Sequence, residues 1–432
     1  MRFSLEVIRA RKGDCLLLHH GTADDPRLML IDGGPSGVYG PFLKPRLQAI
    51  RAARGLDDDQ PLDIDRILVS HVDDDHIRGL LDLTRELRDQ PNPKRGLVKI
   101  AALWHNAFED VIGRSPDKLT SALGSRFGPA STGGQLPDDA TLDHVDDDID
   151  ERTVAASLMV LASIEQGDRL RADAEALGAA LNPEFPDGLI SADDTQPIAL
   201  EDGPTFTVVG PLAPDLEALR KKHDAWERKR AENHPTAEEA LSAYIDKSVT
   251  NLSSIVMLAK AGDKSILLTG DARGDKILEG LERAGLMKPG GSIRVDVLKV
   301  PHHGSANNLD LNFFKRIKAD HYVFSGDGEH GNPEREAFEM LIKARGRSKY
   351  VVHLTHPIAD IDQERAKDWA KERNKQLKRR EKNPRQEVRP EWSAEQNGLE
   401  SLLAANPSFA KKIQVVDPER PHLIDLLERV DG

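Results

Sequence analysis

Polar and apolar residues mix with a short period over Phe3–Arg9, and apolar runs follow at Cys15–His19 and Arg27–Ile31. Lys12-Gly13 separates the first two, and the third ends in Asp32-Gly33-Gly34. This pattern predicts short strands, the first two paired across a tight turn. The spacing becomes helical over Phe42–Ala53, where Leu43, Leu47 and Ile50 recur, and again over Ile77–Arg88. Between those helices Ile64–Val69 is a β-rich run that stops at Ser70-His71, and Leu97–Trp104 is a further buried-strand candidate.

The same order returns later. Strands are expected at Thr205–Val209, Ser253–Leu258, Ser265–Thr269, Arg294–Val300, Tyr322–Ser325 and Tyr350–His353, with helices near Lys276–Ala284, Leu311–Ile317 and 334–345. Two β-rich halves with flanking helices imply an α/β (α+β) chain folded as a four-layer αββα sandwich. Residues 1–106 would form its first half and 200–358 its second. Residues 107–199, rich in Gly, Pro and Asp and then helical over 152–181, read as an insertion or cap. A charged helical arm is expected at 215–246, and 359–432 as a charged helical C-terminal appendage.

Composition narrows the chemistry. The chain has 432 residues, 60 Lys and Arg against 73 Asp and Glu, and a formal net charge of −13. Such a balance argues against a protein that coats duplex nucleic acid by neutralising phosphates. The basic run around Lys378-Arg379-Arg380 is the one place where a longer anionic partner could gain a hold. One cysteine, Cys15, removes disulfides and multi-cysteine zinc sites, so metal chemistry must use His and carboxylates. No apolar stretch is long enough to span a bilayer and the N-terminus lacks a secretory pattern, so a cytoplasmic protein with no membrane partner is expected.

The strongest chemical signal is Ser70-His71-Val72-Asp73-Asp74-Asp75-His76, directly after a strand. Two histidines and two usable carboxylates at a strand end give the N/O donor set of zinc or manganese. Three distant segments repeat the context: Ser265 to Asp271, ending in Gly-Asp; Val297 to Ser305, ending in His302-His303-Gly304-Ser305; and Phe324 to Pro333, which contains His330. All four follow strands and could meet at one edge of the sandwich.

Here the chain resembles the metallo-β-lactamase superfamily. Asp32 in Leu30-Ile31-Asp32-Gly33-Gly34 is similar to its first motif, His71 to His76 to its metal motif, and Asp271 to its bridging carboxylate. The usual His-x-His-x-Asp-His is replaced by His-x-Asp-x-Asp-His. That form is similar to the hydrolase domain of competence DNA-uptake channels and to phosphorylcholine esterases. The resemblance covers about 1–106 and 200–355. It implies two divalent metal ions, zinc first, with manganese or iron as alternatives, sharing a bridging hydroxide. His71, Asp73, Asp75, His76, Asp271, His303 and His330 would be the metal ligands, with Asp75, His302 and Lys299 as catalytic candidates. His302 would face a substrate oxygen, the reverse order of His302 and His303 being the alternative. Lys299 would either approach a phosphate or brace a carboxylate. Asp14, Asp32 and Asn251 would orient ligands or form turns. His105 and His144 are candidates for a histidine the superfamily places before Asp271, and His356 is an alternative last ligand.

What the resemblance implies is a hydrolase acting on ester bonds, foremost a phosphodiesterase on a small phosphodiester or single-stranded nucleic acid. A lactonase, phosphotriesterase or other ester hydrolase is the enzymatic alternative, and a metal-binding regulatory module the non-enzymatic one.

Overall fold

The computed structural model describes residues 1–57, 59–90, 95–107, 110–111, 165–193, 196–218, 220–221 and 253–429. His144, Asn251 and most of the expected cap and charged arm lie outside them.

The first half begins with strands β1 (Ser4–Val7), β2 (Leu16–Gly21) and β3 (Pro26–Ile31), then helix α1 (Lys44–Ala53). Strands β4 (Leu62–Ile64) and β5 (Arg66–Leu68) precede helix α2 (Asp74–Asp89), and β6 (Val98–Ile100), β7 (Ala102–Trp104) and β8 (Ala180–Leu181) follow. The second half contains β9 (Ile198–Ala199), β10 (Thr205–Gly210), β11 (Val256–Ala261), β12 (Lys264–Leu268), helix α3 (Gly274–Arg283) and β13 (Ile293–Lys299). Helix α4 (Leu311–Arg316), β14 (Ile317–Phe324), α5 (Arg335–Arg345), β15 (Val351–Leu354) and the long α6 (Ile358–Lys382) come next. Near the end lie β16 (Ile413–Val415) and β17 (Leu423–Asp425).

Among the described residues these strands make two large sheets, ordered β17-β1-β2-β3-β5-β7-β8 and β16-β15-β14-β13-β12-β11-β10-β9, plus the small pair β4-β6. Side chains of alternate parity decide which layer each strand serves. Leu16, Leu18, Met29, Ile31 and Trp104 of the first sheet pack against Phe206, Met257, Ile266, Val297 and Val323 of the second. The opposite faces take their helices: Leu17, Leu28 and Leu30 meet Leu47, Leu80 and Leu83, whereas Leu258, Leu267 and Leu298 meet Leu278, Leu281 and Phe313. This is the expected αββα sandwich.

Two boundaries differ from expectation. Residues 359–432 are no separate appendage: β16 pairs with β15, and β17 pairs with β1, so the C-terminal region adds an edge strand to each large sheet. Strands of three residues carry too little periodicity to be seen in a sequence. Likewise the end of the expected cap is part of the sandwich, because β8 pairs with β7, β9 pairs with β10, and Leu170 and Ala174 join the core on the outer face of the first sheet.

Parallel pairing places the site. Strands β3, β5 and β7 run parallel to one another in the first sheet, as do β12, β13, β14 and β15 in the second. Their C-terminal ends therefore lie side by side, and the loops that follow them converge where ligands of α/β sheets gather. Across the sandwich the two edges are joined by Ile255 N–H donating to the Ser70 carbonyl at 2.7 Å.

A candidate metal centre at the sheet edge

The motif His71 to His76 straddles two elements. Ser70 and His71 continue β5, and Asp73 stands at the start of α2, so Asp75 and His76 occupy the first helical turn. The turn Lys12-Gly13-Asp14 lies against that helical turn, with Asp14 N–H donating to the Asp75 carbonyl at 3.2 Å. Only glycine fits there: a Cβ on Gly13 would stand 1.9 Å from the Asp75 carbonyl oxygen. On the second sheet, Asp271 follows β12, and His302 and His303 follow β13 with φ of 49° and 53°. Left-handed backbone at two successive non-glycine residues costs on the order of 1–3 kcal/mol each and gathers at functional sites.

These elements bring His71, Asp75, His76, Asp271 and His303 together. His76 Nε2 stands 3.3 Å from Asp271 Oδ1 and 3.9 Å from Asp75 Oδ1. His303 Nε2 stands 3.4 Å from both Asp271 Oδ1 and Asp75 Oδ2. His71 Nε2 faces Asp73 Oδ2 at 3.2 Å. Among the described residues two groups could hold a cation: Asp14, His76, Asp271 and His303 in one, His71, Asp75 and His76 in the other, His76 Nε2 being able to serve one of them at a time.

The residues fit such ions. His71 Nε2, His76 Nε2, His303 Nε2 and Asp271 Oδ1 are buried and have no hydrogen-bond partner. Unpaired buried polar atoms cost about 1–3 kcal/mol each. Donors each ~2.1 Å from one cation stand roughly 3.0–3.5 Å from each other, as His76 Nε2 and His303 Nε2 each do from Asp271 Oδ1.

The remaining ring atoms are held from behind. Asp32, itself at φ 55°, accepts from the Ser70 N–H at 2.8 Å and from the Ser70 hydroxyl at 2.7 Å, and lies 2.9 Å from His76 Nδ1. His303 Nδ1 faces Asp14 Oδ1 at 3.5 Å and the Ser325 hydroxyl at 3.4 Å. Both Asp14 oxygens are taken, one by Lys299 Nζ and the other by the Ser325 hydroxyl. Asp14 thus lies within the first group of donors but acts as a brace. Carboxylates behind metal-binding imidazoles fix the ring tautomer and turn the other nitrogen inward.

Charge dominates over burial at several of these groups. Burial alone would lower His76, but Asp271, Asp32 and Asp75 carry its pKa well above the ordinary histidine value. For His303 burial is likewise outweighed, by Asp271 and Asp14, and its pKa rises to about 9. Burial would raise Asp271, yet His303, His302 and His76 hold it well below the usual carboxylate range. Asp75 is lowered in the same way, against burial, by His76 and His303.

Other expected residues lie elsewhere. His302 is the outward member of its pair: Nε2 is 3.7 Å from Asp271 Oδ2 and its side chain is 28% exposed. Lys299 is buried, bonded to Asp14 and donating to the Gly270 carbonyl at 3.3 Å, so it braces a carboxylate and does not reach toward a substrate phosphate. His330 does not join the cluster. The loop from Gly326 to Pro333 carries it outward, to 64% exposure, beside Lys12 at 3.3 Å and Glu329 at 3.9 Å. His356 is also outside it, its Nδ1 3.1 Å from the Thr355 hydroxyl. His105 ends β7 next to β5, buried with neither ring nitrogen hydrogen-bonded, and burial lowers its pKa to about 4. Ser70 and Ser325 escape sequence reasoning as functional residues, since a single serine after a strand carries no distinctive pattern. Lys12, paired with Glu329 at 2.8 Å, reads in the sequence only as part of a turn.

Residues 10–156 match the family model described as Metallo-beta-lactamase superfamily. A solved beta-lactamase domain protein from Burkholderia ambifaria is similar over 77% of this chain and 67% of its own, at 16% identity and a TM-score of 0.25. Human microtubule-associated protein 1A is 31% identical over 88 residues, 20% of this chain and 3% of that protein. The Drosophila melanogaster microtubule-associated protein futsch is 38% identical over 53 residues, 12% of this chain and 1% of its own length. The match thus spans about 3% or less of the length of these two microtubule-associated proteins. The stretch matched by the family model, residues 10–156, is similar to the metallo-β-lactamase superfamily and includes His71, Asp75 and His76 of the cluster.

Proposed function

We propose that this protein is a binuclear metal-dependent hydrolase, most at home on phosphodiesters. The observation that carries the proposal is the set of buried, unpartnered donor atoms of His71, His76, His303 and Asp271, converging from both sheets. His76, His303 and Asp271 would hold one divalent ion, and His71 and Asp75 a second, since the one Nε2 lone pair of His76 serves a single ion. Divalent ions there would acidify an attacking water and offset charge on phosphoryl oxygens.

The chain's own groups prepare the site. Asp32 and Asp14 keep the Nδ1 sides of His76 and His303 engaged, leaving both Nε2 atoms free to bind. Lys299 neutralises Asp14, so that this buried carboxylate does not draw a ligand imidazole out of place. His302 stands at the open side with its pKa lowered by burial despite Asp271, hence largely neutral near pH 7. A neutral imidazole there can accept a proton from water or donate a hydrogen bond to a substrate oxygen. A carboxylate-rich, hard donor set favours ions suited to phosphoryl chemistry, which is why phosphodiesters are placed ahead of lactones and phosphotriesters.

The test joins elemental analysis to a substrate panel. Purified protein should carry close to two equivalents of zinc, manganese or iron, and Asp271→Ala should lose at least one. Loaded protein should hydrolyse a small phosphodiester faster than a phosphotriester or a lactone. Less than one equivalent of metal, unchanged by Asp271→Ala, would overturn the enzyme; a preference for lactone would overturn the substrate class.

A further inference from the structure

We propose that the distal half of α6 is a docking surface for single-stranded nucleic acid, which it holds beside the site. This rests on the phosphodiesterase proposal for its meaning, although it is tested separately.

The helix is rooted at the site. It starts directly after β15, at the same sheet edge as Asp271 and His303. In its first turns the Ile361 carbonyl lies against Gly328, where a Cβ would stand 2.2 Å away, and Arg365 Nε donates to the Gly331 carbonyl at 3.1 Å. The Gly326 to Pro333 loop so gripped also carries Glu329, the partner of Lys12, whose ammonium adds to the field around Asp75 and Asp74. Among the described residues of α6 only Ile361 and Arg365 are buried, so the helix stands off the sandwich. Its inner side is covered by the chain that returns along it: Arg389 N–H donates to Gln376 Oε1 at 2.8 Å and Trp369 Nε1 to the Pro390 carbonyl at 2.8 Å. Trp369 and Trp392 meet edge to face at 5.7 Å, and Arg389 lies 4.6 Å over Trp369.

The outer side is basic. Residues 371–389 hold nine Lys and Arg against three Glu, inside a chain of net charge −13. Lys371, Lys375 and Lys378, at helical spacing of four and three, share one exposed face. The rise per residue sets them about 5 Å apart. Among the described residues none of the three makes an ion pair, whereas Glu364, Glu372 and Glu391 are each matched by Lys367, Arg379 and Arg373. A row of unmatched, exposed ammonium groups in an acidic protein favours a polyanion. Among polyanions, nucleic acid carries in each repeat the bond proposed for the site. It must be single-stranded, because the ligand atoms are buried and only a flexible strand can lie on the arm and bend into them.

The test uses the full chain, stripped of metal with EDTA so that no cleavage occurs, and a fluorescein-labelled 20-mer of thymidine read by anisotropy from 20 to 200 mM KCl. Wild-type protein should bind with a steep salt dependence. The variant Lys371→Gln/Lys375→Gln/Lys378→Gln should bind at least ~10-fold more weakly at 50 mM, its log–log salt slope shallower by about 2, at ~0.7 for each phosphate no longer neutralised. Hydrolysis of a small phosphodiester by the metal-loaded variant should stay within about twofold of wild type. The proposal is overturned if wild-type protein does not bind at 20 mM KCl, if the two slopes are equal, or if poly-glutamate of the same charge competes as well as the oligonucleotide. If binding follows expectation but no phosphodiester is hydrolysed, the arm stands and the proposed activity falls.

Discussion

The role of Lys299 can be settled by a double-mutant cycle with Asp14. The lysine side chain is 1% exposed and that of Asp14 2%, and Lys299 Nζ also lies 4.0 Å from Asp271 Oδ1. Lys299→Met replaces the ammonium with an apolar chain of similar length and strands the Asp14 carboxylate. Leaving one member of a buried ion pair unmatched costs roughly 3–5 kcal/mol. His303, 3.5 Å from Asp14 and with its pKa raised to about 9, still offers a positive charge at neutral pH, which places the expected loss near ~3 kcal/mol. Asp14→Asn in the Lys299→Met background removes the stranded charge, and should recover about 2 kcal/mol of that loss. The assay is urea unfolding of the four metal-stripped proteins at pH 7.5. A Lys299→Met protein within about 1 kcal/mol of wild type, or strictly additive single and double variants, would refute a bracing role. A lysine that instead gripped a substrate phosphate would show an increased KM with little change in stability.

Three further outcomes are expected. Asp32→Asn weakens the hold on His76 Nδ1, so metal affinity measured against a competing chelator should fall about 10- to 100-fold with the fold retained; unchanged affinity would contradict the orienting role. Gly79→Ala would set a Cβ 2.0 Å from the Gly33 carbonyl, where α2 touches the loop after β3, and should cost at least ~1–3 kcal/mol. Gly40→Ala, with nothing within 4 Å, should stay within ~0.5 kcal/mol in the same denaturation assay, and equal effects at both positions would refute the packing. Acid should loosen the contact of β14, β15 and the chain before β17, where His353 lies 3.0 Å from His321 and 2.8 Å from His422. Burial, then His422 and His321, lower the His353 pKa to about 2, so the folded state binds fewer protons than the unfolded one. Stability present above pH ~6.5 is lost as pH falls, by about 2 kcal/mol at pH 5; a His353→Gln variant with the same pH profile as wild type would contradict this.

The sandwich was legible because its long strands announce themselves. Each apolar run from Leu28 to Ile31, Ile266 to Leu268 and Val297 to Val300 is buried in the structure, and its turn residues stand where the next element begins. The donors were legible for a related reason: His71, Asp271 and His303 each follow such a strand. What could not be read is set by contacts between distant segments. Strands β16 and β17 exist only by pairing with β15 and β1. His330 follows a strand as the others do, but the loop carrying it is drawn outward by Lys12, Glu329 and Arg365. That Lys299 faces Asp14, 285 positions away in the chain, follows from sheet-on-sheet packing and leaves no local mark.

Charge balance explains why the cluster takes the form it does. Asp14 and Asp271 lie beside the buried Lys299, and Asp32 and Asp75 beside His76, and carboxylates gathered this closely need more positive charge than that lysine supplies. The structure offers two sources for it. One is protonation of the imidazoles, which is why His76 and His303 titrate above their ordinary value. The other is divalent cations on the same Nε2 lone pairs, and the two compete, since a ring that binds metal at Nε2 must give up that proton. Asp32 and Asp14 do not compete for those atoms, because each faces Nδ1. The surrounding carboxylates therefore raise affinity for any cation, while the tautomers they fix present Nε2 to the common space between the sheets. Metal affinity and ligand orientation would thus come from the same residues, and loss of either Asp32 or Asp14 should weaken both at once.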